Sequence, residues 1–228
     1  VFSVIKTALP RCTFTVMGDV SQNINYESGM NDWETLKEKV FNTEGDYFGV
    51  LAKSYRNTIE ISDYASGILA HCSFPTYKTQ PIIRHGEPVK FLAVETESQK
   101  QEKQDEHQVN AKMIQTAANE IKAWQEKGYD TIAVICKDET QTDKVREALK
   151  QYIEVNSESL ETTEFSRGVM VLPIHMTKGL EFDTVLLMEP SKDAYPKRDA
   201  NAKLLYVAAT RALHELTIVY NEILSELL

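Results

Sequence analysis

Four short stretches hold side chains able to do chemistry. GDVSQNIN (18–25) offers Asp19 and Gln22, and SYRN (54–57) offers Tyr55 and Arg56. HMTKGLEF (175–182) groups His175, Thr177, Lys178 and Glu181 around Gly179, and YVAATRALHEL (206–216) sets Arg211 in an apolar run. Lys-Gly beside Thr invites a phosphate-loop reading, but such a loop needs GxxxxGK[ST], and the order here is wrong. Arg211 is the most pointed of these residues, because a cation within VAATRAL wants an anion. Taken singly, each has an ordinary reading. Asp19 could cap a turn, Gln22 could tie a loop, and Arg56 could be a surface ion-pair partner. His175 could be a satisfied loop histidine and Glu181 a solvated charge. Their combination is what needs explaining.

The elements that must position them follow from hydrophobic period. CTFTVMGD (12–19) reads as a buried strand leading into the first stretch, and YFGVLAKSY (47–55) as a strand leading into the second. NDWETLKEKVF (31–41) and IEISDYASGILAHC (59–72) read as helices, and the proline-bearing 74–88 as an irregular connection. PVKFLAVE (88–95) is a strand, and 96–106 is polar loop. The clearest helix spans 107–128, with Val109, Met113, Ala117, Ile121 and Trp124 on one stripe and Gly128 at its end. TIAVICKD (131–138) is a strand and 139–152 an amphipathic helix. GVMVLPI (168–174) and DTVLLME (183–189) are strands on either side of HMTKGLEF. LLYVAATRALH (204–214) reads as a helix with Arg211 in its middle, ELTIVY (215–220) as a strand, and NEILSELL (221–228) as a short helix. Strands alternate with helices, and most strands look apolar on both faces. The expected fold is therefore α/β, a mostly parallel sheet with helices on both faces. Such a sheet is expected to carry its functional residues in loops at the carboxyl ends of its strands.

Charge and composition narrow the function. The 228 residues are 42% hydrophobic and 26% charged, an ordinary globular mixture. Lys and Arg total 25 against 34 Asp and Glu, a net charge of −9. Proteins that coat nucleic acid are usually basic, so any polynucleotide contact here must be local or shared with another part. No run reaches the roughly 20 apolar residues of a membrane span, and no signal peptide is seen, so no membrane partner is expected. Cys12, Cys72 and Cys136 are odd in number and far apart, which suits free thiols in a reducing cytoplasm. A chain starting at Val1 on an apolar segment is expected to be a piece of a longer protein.

In their order, the four stretches resemble the later motifs of UvrD/Rep-type superfamily 1 DNA helicases. GDVSQNI is similar to GDxxQSI, LAKSYRNT to LxxNYRST, IHMTKGLEFDTV to HxxKGLEFxxV, and LLYVAATRALHEL to YVAxTRAxxxL. The LxKSYRNTxEI and TRALHEL variants are most similar to the helicase IV/HelD branch, whose HelD members work on RNA polymerase. The resemblance implies a RecA-like fold of the P-loop NTPase type. Residues 1–25 would be the tail of a first RecA-like domain, and 26–228 the second motor domain.

The resemblance also assigns roles. Arg56 and Arg211 would clamp the γ-phosphate of ATP, where positive charge stabilises phosphoryl transfer. Gln22 would touch the γ-phosphate or the attacking water, while Asp19 shapes its loop. Tyr55 would stack on adenine, and Glu181 would hydrogen-bond the ribose. Gly179 would let the backbone turn tightly, and His175, Thr177 and Lys178 would lie toward a single strand. A Walker A loop and an acidic magnesium motif are absent from the sequence. ATP and Mg2+ would therefore need an N-terminal RecA-like domain, and this chain alone should not hydrolyse ATP. Partners would be single-stranded or duplex DNA, with RNA polymerase as the HelD-like alternative. A non-catalytic RecA-like interaction module is the reading from another class. Beyond Gln22, helicases continue with aromatics that stack on bases. Here Asn25 and Glu27 stand in those places with Tyr26 one off, which removes contacts worth about 1–3 kcal/mol per base.

Overall fold

The computed structural model describes residues 1–25, 32–41, 45–74, 76, 80–81, 84–94, 111–156 and 167–228. In chain order its elements are α1 (Phe2–Ala8), α2 (Trp33–Val40), β1 (Lys53–Ser54), α3 (Ile59–Leu69), β2 (Gln80–Pro81), β3 (Lys90–Ala93), α4 (Ala111–Glu126), β4 (Thr131–Cys136), α5 (Glu139–Leu149), β5 (Gly168–Pro173), β6 (Phe182–Met188), α6 (Asp199–Ala209) and β7 (Ala212–Tyr220). Short 3₁₀ turns at Val20–Gln22 and Ile174–Thr177 hold two of the candidate stretches. The polar loop 96–106, Val109 at the start of the long helix, and Tyr26 and Glu27 of the altered aromatic run lie outside the described residues.

The alternation of side chains along β4, β5, β6 and β7 dictates the layers. Ala133, Ile135, Leu172, Val185, Leu187 and Ile218 face α3 and α6 and form one core with Ile61, Ala65, Ile68 and Leu205. Their neighbours Ile132, Val134, Cys136, Val169, Val171, Leu186 and Met188 point the other way. They pack with Met113, Ala117, Ile121 and Trp124 of α4 and with Val145 and Leu149 of α5. A strand buried on both faces needs such two-sided cover, and a parallel sheet provides it. The five strands run in the order β3-β7-β6-β4-β5, all parallel. This is the α/β fold expected from the sequence. The helix ends follow local rules. Asp138 caps α5 by accepting from Gln141 N at 2.9 Å. Gly128, at φ +90, ends α4 in a conformation that other residues adopt only at a cost.

The structure differs from the sequence expectations in four places. Residues 12–19 form no strand, and most of them are exposed. An apolar, β-branched run becomes a strand only where a neighbour takes its backbone hydrogen bonds, and no ladder reaches this one among the described residues. In 47–55 only Lys53 and Ser54 pair, with Gln80 and Pro81. The tail 221–228 makes turns and a bridge from Leu224 to Ser191 instead of a helix. Finally, α6 stops at Ala209, so Arg211 lies in the turn before β7 and not inside a helix. Thr210 Oγ1 donates to the carbonyls of Tyr206 and Val207, and Arg211 Nε donates to Val207 O, which closes the last turn with side chains.

Candidate functional site

Glu181 and Arg211 precede β6 and β7, which are adjacent, with Phe182 opposite Ala212. Phe182 N donates to Arg211 O at 3.0 Å. Two residues far apart in sequence are thus made neighbours by strand register. Both stand at the amino ends of their strands, which corrects the expectation that the site would lie at the carboxyl ends. The reason is the connection 174–181, which leaves β5 at its carboxyl end and must reach the amino end of parallel β6. His175 remains at the first edge and Glu181 arrives at the second.

Gln22 and Arg56 join them there. Arg56 Nε lies 2.6 Å from Glu181 Oε1, and both side chains are more than a third exposed. Arg211 Nη2 donates to Gln22 Oε1 at 3.3 Å, while Gln22 Nε2 donates to Asp19 Oδ2 at 2.7 Å. Asp19 Oδ1 also accepts from Ser21 N, so this carboxylate shapes the 3₁₀ turn that presents Gln22. An open cleft of about 500 Å³ runs along this rim, lined by Asp19, Gln22, Tyr55, Arg56, Asn57 and Tyr206 among others. Glu181 and Arg211 stand behind the lining, reached through Arg56 and Gln22 respectively. Tyr55, 69% exposed, lines the same cleft.

Arg211 is the least ordinary residue of the group. It is 1% exposed, and its guanidinium donates to the carbonyls of Val207 and Leu180 at 2.9 and 3.0 Å. Among the described residues no carboxylate forms an ion pair with it. Burial pushes its pKa down, the charge of Arg56 adds to that, and Glu181 pulls the other way. The guanidinium still stays charged at neutral pH, because its ordinary value is so high. The Tyr206 phenol beside it is pushed up to about 12, by burial first and then by the charge of Asp19.

Two residues that sequence reasoning missed tie this rim together. The Asn57 amide donates to Thr210 O at 3.1 Å and to Ala212 O at 2.5 Å. Arg84 Nη2 donates to Arg56 O at 2.7 Å and also to Leu213 O. Asn57 had a signal, since it directly follows Arg56 in a singled-out stretch. Arg84 had none, lying in a connection with no period.

The remaining candidates of HMTKGLEF lie apart from this cluster. His175 is exposed, with Nε2 3.7 Å from Glu139 Oε1. Lys178 and Gly179 are exposed as well, and Gly179 has φ +85 with nothing within 4 Å of where a Cβ would stand. Thr177 departs from its expected place facing a strand. It is fully buried, and its hydroxyl donates to Ile174 O at 2.7 Å, so it holds the turn and offers nothing to solvent. Among the described residues, no three His, Cys, Asp or Glu side chains group as metal ligands would. No described helix is long and apolar enough to cross a membrane.

Comparison with known proteins follows the same lines. Residues 168–219 match the family model of the UvrD-like helicase C-terminal domain. They span β5, the connection bearing Glu181, β6, α6, Arg211 and most of β7. The solved C-terminal domain of a possible DNA helicase from Lactobacillus plantarum WCFS1 is 26% identical, with a TM-score of 0.58 over 76% of this chain and 91% of that one. The PRRSV helicase is 15% identical at a TM-score of 0.31, and this chain spans only 23% of it. An arterivirus nonstructural protein 10 (helicase) is 14% identical at 0.31, with 25% of it covered. Likeness as loose as these two carries no argument. No curated protein matches. Motifs, family model and matched domain point the same way: residues 168–219 are similar to the C-terminal domain of UvrD-like helicases, and the wider chain is similar in fold to one solved domain of that description.

Proposed function

We propose that the cleft is one wall of an ATP site shared with an N-terminal RecA-like domain, and that the whole protein is an ATP-driven translocase or helicase on DNA. The observation that carries the reading is the meeting of Gln22, Arg56, Glu181 and Arg211 at one rim, from four separate stretches. The residues fit a nucleotide. A cleft of about 500 Å³ lies in the range of small-molecule sites. Arg56 and a buried guanidinium with no carboxylate partner among the described residues are suited to a terminal phosphate, and Tyr55 to a base. Glu181 would exchange Arg56 for ribose hydroxyls. Mg2+ and the phosphate cradle would come with the other domain. When bound, ATP supplies the phosphoryl chemistry; these side chains orient it and meet the charge that develops. His175, at the other edge of the sheet, and the exposed Lys178 are left to contact a single strand of DNA. The matched Lactobacillus domain, described as part of a DNA helicase, points the same way.

The test is ATP turnover by the full-length protein. Arg56→Ala and Arg211→Ala should each lower kcat by about 10³-fold or more, the range of arginine fingers in related hydrolases. The chain by itself should not turn over. Wild-type rates in the Arg211→Ala protein would refute the reading, as would Arg211-dependent turnover by the chain alone.

A further inference from the structure

We propose that Asn57 is a positioning residue that fixes the separation of Arg56 and Arg211, with Arg84 as its second clasp. The inference rests on the reading of the cleft as half of an ATP site and adds to it the device that sets its two cations. Asn57 is 4% exposed, and its one amide nitrogen reaches the carbonyls of Thr210 and Ala212, the residues on either side of Arg211. The residue before it is Arg56. Arg84 repeats the arrangement in reverse, bridging Arg56 O and Leu213 O with one nitrogen. Four hydrogen bonds from two side chains therefore join the loop 56–57 to the turn 210–213. Neither side chain lends its own charge or hydroxyl to the cluster of Gln22, Glu181 and the two arginines.

The choice of side chain follows from donor count. A primary amide carries two hydrogens in one plane at a fixed angle, enough for two carbonyls at once. Aspartate would turn acceptors toward acceptors, serine has a single hydrogen, and glutamine is one methylene too long for a buried site packed this closely. The loop bearing Arg56 is anchored on one side by Thr58, which caps α3, and more weakly on the other. Among the described residues, strand β1 is two residues long and pairs with β2 alone, outside the five-stranded sheet. Without the clasp, Arg56 would keep its ion pair to Glu181, a partly exposed contact of small strength. Its distance from Arg211 would no longer be set.

A displacement of about 1 Å at a catalytic group can cost about 10²-fold in rate. Asn57→Ala in the full-length protein is therefore expected to lower kcat for ATP about 10²-fold while leaving KM nearly unchanged. A thermal melt of each variant corrects the rate for folded fraction. The deciding comparison is a cycle with Arg211→Ala, in which Asn57→Ala should cost much less than about 10²-fold once Arg211 is gone. An equal loss in both backgrounds would overturn the proposal, and so would a wild-type kcat in Asn57→Ala. Should Asn57→Ala not fold, Asn57→Ser keeps one donor and is read in the same cycle. A full-length protein without ATP turnover would sink the proposed function and leave the clasp to be judged on the chain alone. There, Asn57→Ser should shift the side-chain Nε–Hε NMR signals of both Arg56 and Arg211, and unshifted signals would refute it.

Discussion

Glu215, four residues after Arg211, anchors the start of β7 to α4 and makes a quantitative test of the architecture. Its carboxylate accepts from Trp124 Nε1 at 2.9 Å, from Lys127 Nζ at 2.7 Å and from Tyr129 OH at 3.1 Å. The donors differ in what they lose. Trp124 is 1% exposed, so without Glu215 its indole N–H is left buried and unsatisfied. Lys127 is half exposed and can return to water. Glu215→Ala should therefore cost about 2–4 kcal/mol, mostly from the stranded indole and the space left behind. Glu215→Gln keeps one oxygen, which can stay on the buried Trp124 N–H while the amide nitrogen donates to the Tyr129 hydroxyl, and loses mainly the attraction of Lys127, about 1 kcal/mol or less. Urea unfolding of the chain, followed by tryptophan fluorescence, measures both. The pH dependence adds a check. Burial pushes the pKa of Glu215 up, but hydrogen bonds from Lys127, Trp124 and Tyr129 outweigh it, and the net shift is down from 4.5. A depressed folded-state pKa gives stabilisation that is complete above the unfolded value and is lost as pH falls through the folded one. The gap between wild type and Glu215→Gln should thus narrow as pH falls below the ordinary value of 4.5 and through the lowered folded-state one. Equal costs for the two substitutions, or less than about 1 kcal/mol for Glu215→Ala, would refute the reasoning.

The cysteines should label in a fixed order. Cys12 is exposed, while burial and the charge of Asp199 push Cys72 up to about 11, and burial pushes the fully enclosed Cys136 up to about 12. With a thiol reagent under native conditions Cys12 should react first, Cys72 slowly, and Cys136 only on unfolding. Equal native rates for Cys12 and Cys136 would contradict the packing of β4. At Gly179, φ +85 with open space around it means that Gly179→Ala should cost about 1–2 kcal/mol from backbone strain alone. A melting temperature equal to wild type would show that the turn is formed differently.

Much of the sheet was legible because a short, continuous apolar and β-branched run between turn residues is what a strand buried on both faces requires. TIAVIC and DTVLLM could hardly be anything but interior strands. The same signal misled at CTFTVMGD and YFGVLAKSY, whose composition is as strand-like but whose backbone finds few partners here. At VAATRAL, alanine-rich helix propensity ran past the true stop. The helix ends where Thr210 and Arg211 fold back onto its last carbonyls, and a local pattern cannot show that competition. The site residues could be picked from their types and order, but not the edge at which they meet. Strand register decides that, and register is a property of β6 against β7. Arg84 was invisible for the same reason, since its two partners lie at Arg56 and Leu213.

The electrostatics of the rim also bear on what kind of anion this chain can favour. Its overall charge is −9, so a long polyanion drawn across its surface meets repulsion at most points. At the rim the balance reverses, with Lys53, Arg56 and Arg211 against Asp19 and Glu181. One of those cations is buried, and among the described residues its hydrogen bonds go to neutral acceptors, which soften a positive charge without cancelling it. In such partly desolvated surroundings Coulomb attraction is several times stronger than in bulk water, and salt screens it less. A compact, highly charged group entering beside Gln22 would gain from the full strength of Arg211. The same group passing over the exposed Lys178 would gain little. On the proposed reading the chain would discriminate by depth, favouring a small phosphate cluster in the cleft over a nucleic acid passing across its surface. Raising the salt should accordingly weaken DNA contacts of the whole protein well before it weakens the arginine dependence of turnover.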